Sequence, residues 1–385
     1  MLYWLSQFSD VFSPLRMFRY ITFRAVLAAG TAFIITLIIG PWLIEKLRII
    51  KFGEQTTDDR VAGLAQDKRA KVGTPTMGGL MIIFATVAAT VLWSEPGNFF
   101  MLCALTTFCF LGVLGFIDDY FKIKRKGGKG GLSPRVKLAA QAGWTLILMF
   151  ALCSNADTCE RTRQLMVPFI KFPVIPSMGV FGTLAFVFLV LVGSSNAVNL
   201  TDGLDGLAVG CTNSAAAAYL VMAYVAGHFA FAEYLQVPFV KGAGELAVFC
   251  GALLGAGLGF LWFNCHPARV FMGDTGSLAI GGGIAAVAIL IKQELVLVIV
   301  GGVFVMEAAS VLIQQSWFKI TKKMYGEGRR VFRCAPLHHH FEFIARDRAA
   351  AAGRSVGAAE NMITIRFWIL SIIFALIGVA TLKIR

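Results

Sequence analysis

Carboxylates, amides and histidines gather in a few short polar stretches of this chain, set between long apolar runs. Asp118 and Asp119 are adjacent and are followed by Lys122. Neighbours on a helix point about 100° apart, so one carboxylate can face a metal while the other accepts hydrogen bonds or acts as a base. Lys122, four residues after Asp118, falls on its face as a simple ion pair or a phosphate contact. A solvated helix end would also account for an isolated pair of this kind.

The densest polar stretch is Asn196-Ala-Val-Asn-Leu-Thr-Asp-Gly-Leu-Asp-Gly-Leu207. Ionisable groups at or near membrane depth are costly and mark a functional site by default. Asp202 and Asp205 are three apart and can share a helical face, while Gly203 and Gly206 permit close approach of backbone or ligand. The alternating acidic positions and terminal glutamate of a calcium loop are missing. Asp202 could cap the following helix, but capping leaves Asn196 and Asn199 unexplained.

Further on, Asn264 opens a stretch that ends in Phe271-Met-Gly-Asp274-Thr-Gly-Ser277. Mg²⁺ is commonly held by one or two carboxylates plus substrate phosphates, a demand that Asp274 with Asp118 or Asp119 meets; an N-cap is the alternative role for Asp274. His338, His339 and His340 suit hydrogen bonding to phosphate or polarisation of a leaving group. Their spacing matches no standard zinc site, and an exposed basic loop is the other possibility. Glu307 lies inside an apolar run, either paired internally or facing a cavity. Taken together, the carboxylates, lysines and histidines point to metal-assisted phosphoryl transfer between a soluble donor and a lipid acceptor.

The elements that must position these groups are membrane helices. Of the 385 residues 57% are hydrophobic and 15% charged, with a mean hydropathy of +0.73, well beyond the roughly 45–50% apolar content of soluble domains. An all-α polytopic membrane protein follows, organised as a single domain over residues 1–385. Apolar runs near 21–44, 77–94, 99–117, 136–153, 178–195, 207–226, 244–263, 276–291, 295–316 and 363–382 predict ten spans. The loops on one side, 45–76, 118–137, 196–206, 264–275 and 317–366, hold 25 of the 35 Lys and Arg residues. By the positive-inside rule that side is cytoplasmic, and both termini lie opposite, in the periplasm. All four polar stretches then share the cytoplasmic face. The net charge of +13 is thereby a topology signal, with no nucleic acid implied.

Met1 to Tyr20 shows no small-residue cleavage pattern, so the first span directs insertion. Gly251, Gly255 and Gly259, four apart, suit close packing between membrane helices. The eight cysteines are taken as small core hydrophobes; Cys153 and Cys159 alone are close enough in sequence for a bridge to be weighed, and it is not adopted. The chain contains no Walker A pattern and no His-Glu-x-x-His, and Gly255-Ala-Gly257-Leu-Gly259 follows no soluble strand that would make it a dinucleotide loop.

Lys71-Val-Gly-Thr-Pro-Thr76-Met-Gly-Gly79, Asp118-Asp119, the Asn196–Gly206 stretch, Phe271-Met-Gly-Asp274 and Ala335-Pro-Leu-His-His-His-Phe341 closely resemble the phospho-N-acetylmuramoyl-pentapeptide transferases. These form a branch of the polyprenyl-phosphate N-acetylhexosamine-1-phosphate transferases. The likeness runs from about Thr22 to the C-terminus, and the Ala-Pro-Leu-His-His-His segment favours this branch over the N-acetylglucosamine branch. It implies transfer of phospho-N-acetylmuramoyl-pentapeptide from its UDP conjugate to undecaprenyl phosphate, giving lipid I and UMP, with Mg²⁺, in the inner membrane and as a homodimer.

Carried onto matching positions, the resemblance makes Asp274 a metal ligand and Asp118 the base on the lipid phosphate, with Asp119 in support. Asp202, Phe271, Lys71, Thr76 and His339 are expected to line the nucleoside and diphosphate site. Asn199 and Asp205 are expected to shape it, with Lys122, Asn264 and His340 among the substrate contacts and His338 among the catalytic groups. Gln314 rests only on its place in the ninth span. The tracts at 54–70 and 345–361 depart from the family pattern. A secondary transporter is the rival from another class, since its intramembrane carboxylates look similar, but it requires charges near the midplane and internal repeats.

Overall fold

The structure is a computed structural model that describes residues 1–50, 73–124, 130–351 and 357–384. After two short 3-10 segments the helices are α1 (Ile21–Ile49), α2 (Gly79–Trp93), α3 (Phe99–Lys124), α4 (Pro134–Leu152) and α5 (Ala156–Arg163). They continue with α6 (Gly179–Thr201), α7 (Leu207–Ala226), α8 (Phe229–Leu235), α9 (Leu246–Asn264) and α10 (Gly273–Leu290). The last four are α11 (Val296–Val300), α12 (Gly302–Tyr325), α13 (Leu337–Ala351) and α14 (Gly357–Ala380). No strand forms among the described residues, and eight helices are long and apolar enough to cross a bilayer. The protein is an all-α polytopic membrane protein.

Each of the ten apolar runs holds a helix, with two departures from uninterrupted spans. The 15 residues of α2 rise only about 22 Å, short of a hydrocarbon core of about 30 Å. The ninth run is broken at Gly301 into α11 and α12. The polar interruption Lys292-Gln293-Glu294 is a true turn between α10 and α11, and all three side chains are buried there. Burial is tolerated because Lys292 Nζ is 2.6 Å from Glu294 Oε1 and also donates to the Thr162 carbonyl, so neither charge is left unpaired.

The helix α10 is the axis of the bundle, with 94% of its span buried. Its glycines let neighbours close in: Gly281 lies against the Ser194 backbone of α6, Gly282 against Leu111 and Gly283 against Phe108 of α3. Expected packing by Gly251, Gly255 and Gly259 is found, with Gly251 against the Ala25 carbonyl, Gly255 against the Ala29 carbonyl and Gly259 against Thr36, all on α1. Without a hydrophobic drive between helices in lipid, such small-residue contacts supply association through close van der Waals packing. By contrast α1, α4, α6 and α14 bury only about a third of their spans or less, and their free faces carry Ile38, Phe150, Phe181 and Leu376, as lipid-facing surfaces do.

One reading of the cysteines is corrected. Cys153 and Cys159 are joined in a disulfide between the end of α4 and α5. The polar turn Ser154-Asn155 reverses the chain, and Asn155 caps α5 by accepting from Asp157 N at 3.0 Å, which returns Cys159 toward Cys153. The remaining six are free; Cys103, Cys211 and Cys250 are buried as core residues, whereas Cys109 and Cys334 are half-buried and Cys265 is exposed in the loop after α9.

Candidate active site

Three carboxylates meet where α3, α4 and α10 converge. Asp118 and Asp119 occupy the last turns of α3, where its apolar sequence gives way to Lys122 and Lys124. Asp118 is fully buried; its Oδ1 accepts from Leu132 N at 2.6 Å, and its Oδ2 is 2.7 Å from both Lys122 Nζ and Lys137 Nζ. Lys137 comes from the first turn of α4, which Ser133 caps and Pro134 starts. The same ammoniums reach Asp274 at the start of α10, Lys122 at 3.0 Å and Lys137 at 2.7 Å. Two cations thus bridge two carboxylates from different helices.

Asp119 is held differently. It accepts from Asp274 N at 3.3 Å, Thr275 N at 2.9 Å and Thr275 Oγ1 at 2.8 Å, so it caps α10 across a helix interface. A carboxylate at this end also opposes the positive pole of the helix dipole. This cap sets the direction in which Asp274 leaves the helix.

Ligand oxygens of Asp118, Asp119 and Asp274 lie within 4.8 Å of one another. Three carboxylates against two ammoniums leave one negative charge uncompensated, and all donors are hard oxygens. A divalent cation of the Mg²⁺ type fits that donor set.

Close backbone approach makes the convergence possible. Gly115 of α3 packs on the Asp274 carbonyl and Gly79 of α2 on the Gly276 backbone, leaving no space for a Cβ at either position. Gly273 takes φ +73, and a Cβ there would lie 2.6 Å from Asp119 Oδ2 and 2.9 Å from Thr76 Oγ1. Thr76 is therefore beside the carboxylates. It is fixed by backbone pairing of residues 75–79 with 271–272, in which Phe271 N donates to Pro75 O at 2.8 Å and Gly78 N to Phe271 O at 2.8 Å. Phe271 is thereby held next to the centre.

The Asn196–Leu207 stretch folds as the end of α6, a turn, and the start of α7. Asn199 accepts from Ser277 Oγ of α10 at 2.9 Å, while Asp202 ends α6, its backbone amide bonded to Asn199 O. Asp205 belongs to a second cluster: its Oδ2 lies 3.0 Å from His266 Nδ1 and accepts from Ala268 N at 3.2 Å, and Glu360 Oε1 accepts from Asp205 N at 3.4 Å. Asn264 joins two segments with its amide, accepting from Gly206 N of the α6–α7 turn at 3.0 Å and donating to Val270 O of the α9–α10 loop at 2.8 Å. These contacts hold the stretch against the loop that leads into Asp274.

The three histidines diverge. His338 is buried against Gly203, with its Nδ1 3.2 Å from Glu307 Oε2, and its backbone amide donates to Glu307 Oε1 at 3.1 Å. Glu307 therefore pairs internally. Burial pushes the His338 imidazole below the ordinary histidine range, with Glu307 opposing that shift and the neighbouring His339 adding to it. His339 Nδ1 is 3.0 Å from Glu342 Oε2, while His340 Nδ1 accepts from Arg333 N at 3.2 Å. Gln314 splints residues 331–332, its Oε1 accepting from Val331 N at 3.0 Å and Phe332 N at 2.9 Å.

Asp118, Asp119, Lys122, Thr76 and Asp274 thus come together as one centre, and the turn at Gly203 meets His338 directly. Lys71, the tract 54–70 and residues 352–356 of the tract 345–361 lie outside the described residues. Lys137 is the residue of the carboxylate centre's ion pairs that sequence reasoning missed. Its only signal was a basic residue one turn after the Ser133-Pro134 helix start, which looks like any cytoplasmic-loop charge. Thr275, His266 and Glu360 were missed for a similar reason, since each gains its partner from a distant helix or loop.

Fold and centre together define a multi-pass membrane protein with a buried carboxylate and lysine site. The family model described as "Glycosyl transferase family 4" matches residues 101–292, a stretch that contains Asp118, Asp119, Lys137 and Asp274. Over 385 residues the chain is 46% identical to a phospho-N-acetylmuramoyl-pentapeptide-transferase from Opitutus terrae, covering 100% of both chains. It is 47% identical over 374 residues to the protein of that name from Solidesulfovibrio magneticus, covering 97% of each. With that from Maridesulfovibrio salexigens the identity is 45% over 383 residues, covering 100% of this chain and 99% of the other. The chain belongs to the phospho-N-acetylmuramoyl-pentapeptide-transferase family.

Proposed function

We propose that this protein transfers phospho-N-acetylmuramoyl-pentapeptide from its UDP conjugate to undecaprenyl phosphate, forming lipid I and UMP. The observation that carries this is the meeting of Asp118, Asp119 and Asp274 within 4.8 Å, bridged by Lys122 and Lys137, at one end of a membrane helix bundle. A lipid phosphate and a nucleotide diphosphate carry several negative charges into one site, which only concentrated counter-charge can offset.

Mg²⁺ held by Asp274, with Asp118 or Asp119 beside it, would offset diphosphate charge and stabilise the departing phosphate. Asp118 takes the remaining proton of the lipid phosphate, whose oxygen forms a bond to the sugar-bearing phosphorus. The phosphorus–oxygen bond to UMP breaks, and UMP leaves with that electron pair. Lys122 and Lys137 exchange a carboxylate partner for a phosphate oxygen as substrate enters. Asp119 keeps Asp274 oriented through its cap on α10. Thr76, Phe271, Asp202 and Asn199 line the nucleotide end, and His339 and His340 face the diphosphate or peptide-bearing sugar.

The Lys and Arg bias supports a bacterial inner-membrane location with this centre on the cytoplasmic face, where a UDP-linked donor is available. The whole chain acts as one polytopic domain and pairs as a homodimer. Purified protein given both substrates and Mg²⁺ should release UMP, and the UDP-N-acetylglucosamine arm should not. Failure to exceed an Asp274→Ala control would sink the assignment.

A further inference from the structure

The disulfide Cys153–Cys159 has no part in the chemistry above, and its position relative to that chemistry is informative. Lys137, which touches Asp118 and Asp274, lies in the first turn of α4; Cys153 directly follows its last residue. The 19 residues between Pro134 and Leu152 rise about 28 Å, close to the hydrocarbon thickness of about 30 Å. Bridge and carboxylate centre therefore sit at opposite membrane faces.

The bridge also closes a chain of contacts back to α10. It ties the end of α4 to α5, whose Thr162 carbonyl accepts from Lys292 Nζ at 3.3 Å, just beyond the end of α10. Arg163 O accepts from Met178 N at 2.9 Å, and Leu165 pairs with Ile175, so α5 is stitched to the entry of α6. At one face α4 meets α10 through Lys137 and Asp274; at the other it does so through the bridge, Thr162 and Lys292. A cross-link at the second point fixes the axial register on which the first depends.

Disulfides form and persist where the compartment is oxidising. We propose that Cys153 and Cys159 are a post-translational oxidation site on the extracytoplasmic surface, serviced by a dithiol–disulfide carrier of that compartment, and that the bridge clasps α4 to the end of α10. One cysteine thiolate attacks the carrier disulfide, giving a mixed disulfide and one carrier thiolate. The second cysteine thiolate then displaces the carrier, which leaves as a dithiol with the two electrons, while two protons are lost from the chain.

The test uses the full-length protein in its native membranes. Free thiols are blocked under denaturing conditions without reductant, and the sample is then reduced and treated with polyethylene-glycol maleimide. Wild type should gain two labels, and Cys153→Ser and Cys159→Ser none; an unlabelled wild type overturns the proposal. Sidedness is read on Cys159→Ser with a membrane-impermeant sulfonated maleimide applied to spheroplasts. The freed Cys153 should react before permeabilisation and the exposed Cys265, on the loop leading to Asp274, only after it. The opposite order, or reaction of both together, overturns the extracytoplasmic assignment. Peptide mapping of wild type gives the pairing even if a variant fails to accumulate, and a bridge to any other cysteine refutes it.

Discussion

Lys137 Nζ lies 2.7 Å from Asp274 Oδ2, joining the first turn of α4 to the first turn of α10. The same ammonium is 2.7 Å from Asp118 Oδ2, so a single cation holds two carboxylates from different helices near each other. Replacing it removes both the bridge and a donor poised for phosphate. Lys137→Met should lower kcat by roughly 100-fold or more, the usual scale for losing one charge-stabilising donor. Lys137→Arg should recover part of it, since guanidinium keeps the charge but not the geometry. UMP release under saturating substrates measures both, and a Met variant with wild-type kcat would remove Lys137 from the site.

Gly115 presents no side chain where the Asp274 carbonyl passes. The added methyl of Gly115→Ala must push α3 and α10 apart, and Asp118 and Asp119 move with α3. A displacement of about 1 Å at reacting groups costs roughly 100-fold in rate. The variant should still insert and purify, because α3 and α10 keep their long apolar spans. Turnover near wild type would show that the close approach does not set the carboxylate geometry.

Burial keeps His338 below the ordinary histidine range. Below about pH 6.5 the unfolded chain takes up a proton that folded His338 refuses, so stability falls as the pH drops through that value. Above it this group contributes no pH dependence. Thermal unfolding in detergent on either side of about pH 6.5 should show the loss, and His338→Gln should flatten it. An unchanged slope in that variant would assign the proton uptake elsewhere.

Asp202 closes α6, while the groups bridged by Lys122 and Lys137 are on other helices. Asp202→Asn should therefore raise KM for the UDP-linked donor more than it lowers kcat. Steady-state kinetics with the lipid acceptor saturating separate the two effects. A dominant kcat loss would return this aspartate to the chemical step.

Much of the architecture was legible in the residues because lipid imposes one rule on every span: about 20 apolar residues with all backbone polar groups satisfied internally. Eight of the helices are long and apolar enough to obey that rule, while α2 is short and the ninth run is broken at Gly301; Gly251, Gly255 and Gly259 announced a close helix contact by spacing alone. Asp118, Asp119 and Asp274 stood out because a carboxylate beside an apolar run is costly unless something repays it. Which groups repay it is a property of three dimensions. Lys137 joined the centre, Glu307 turned to His338, and Gln314 and Asn264 spent their amides on backbone, because each partner arrives from another element. The bridge between Cys153 and Cys159 was likewise decided by the turn that brings α5 back to the end of α4. Local composition determines where a polar group is too expensive to be idle; only packing between distant helices determines which partner it meets.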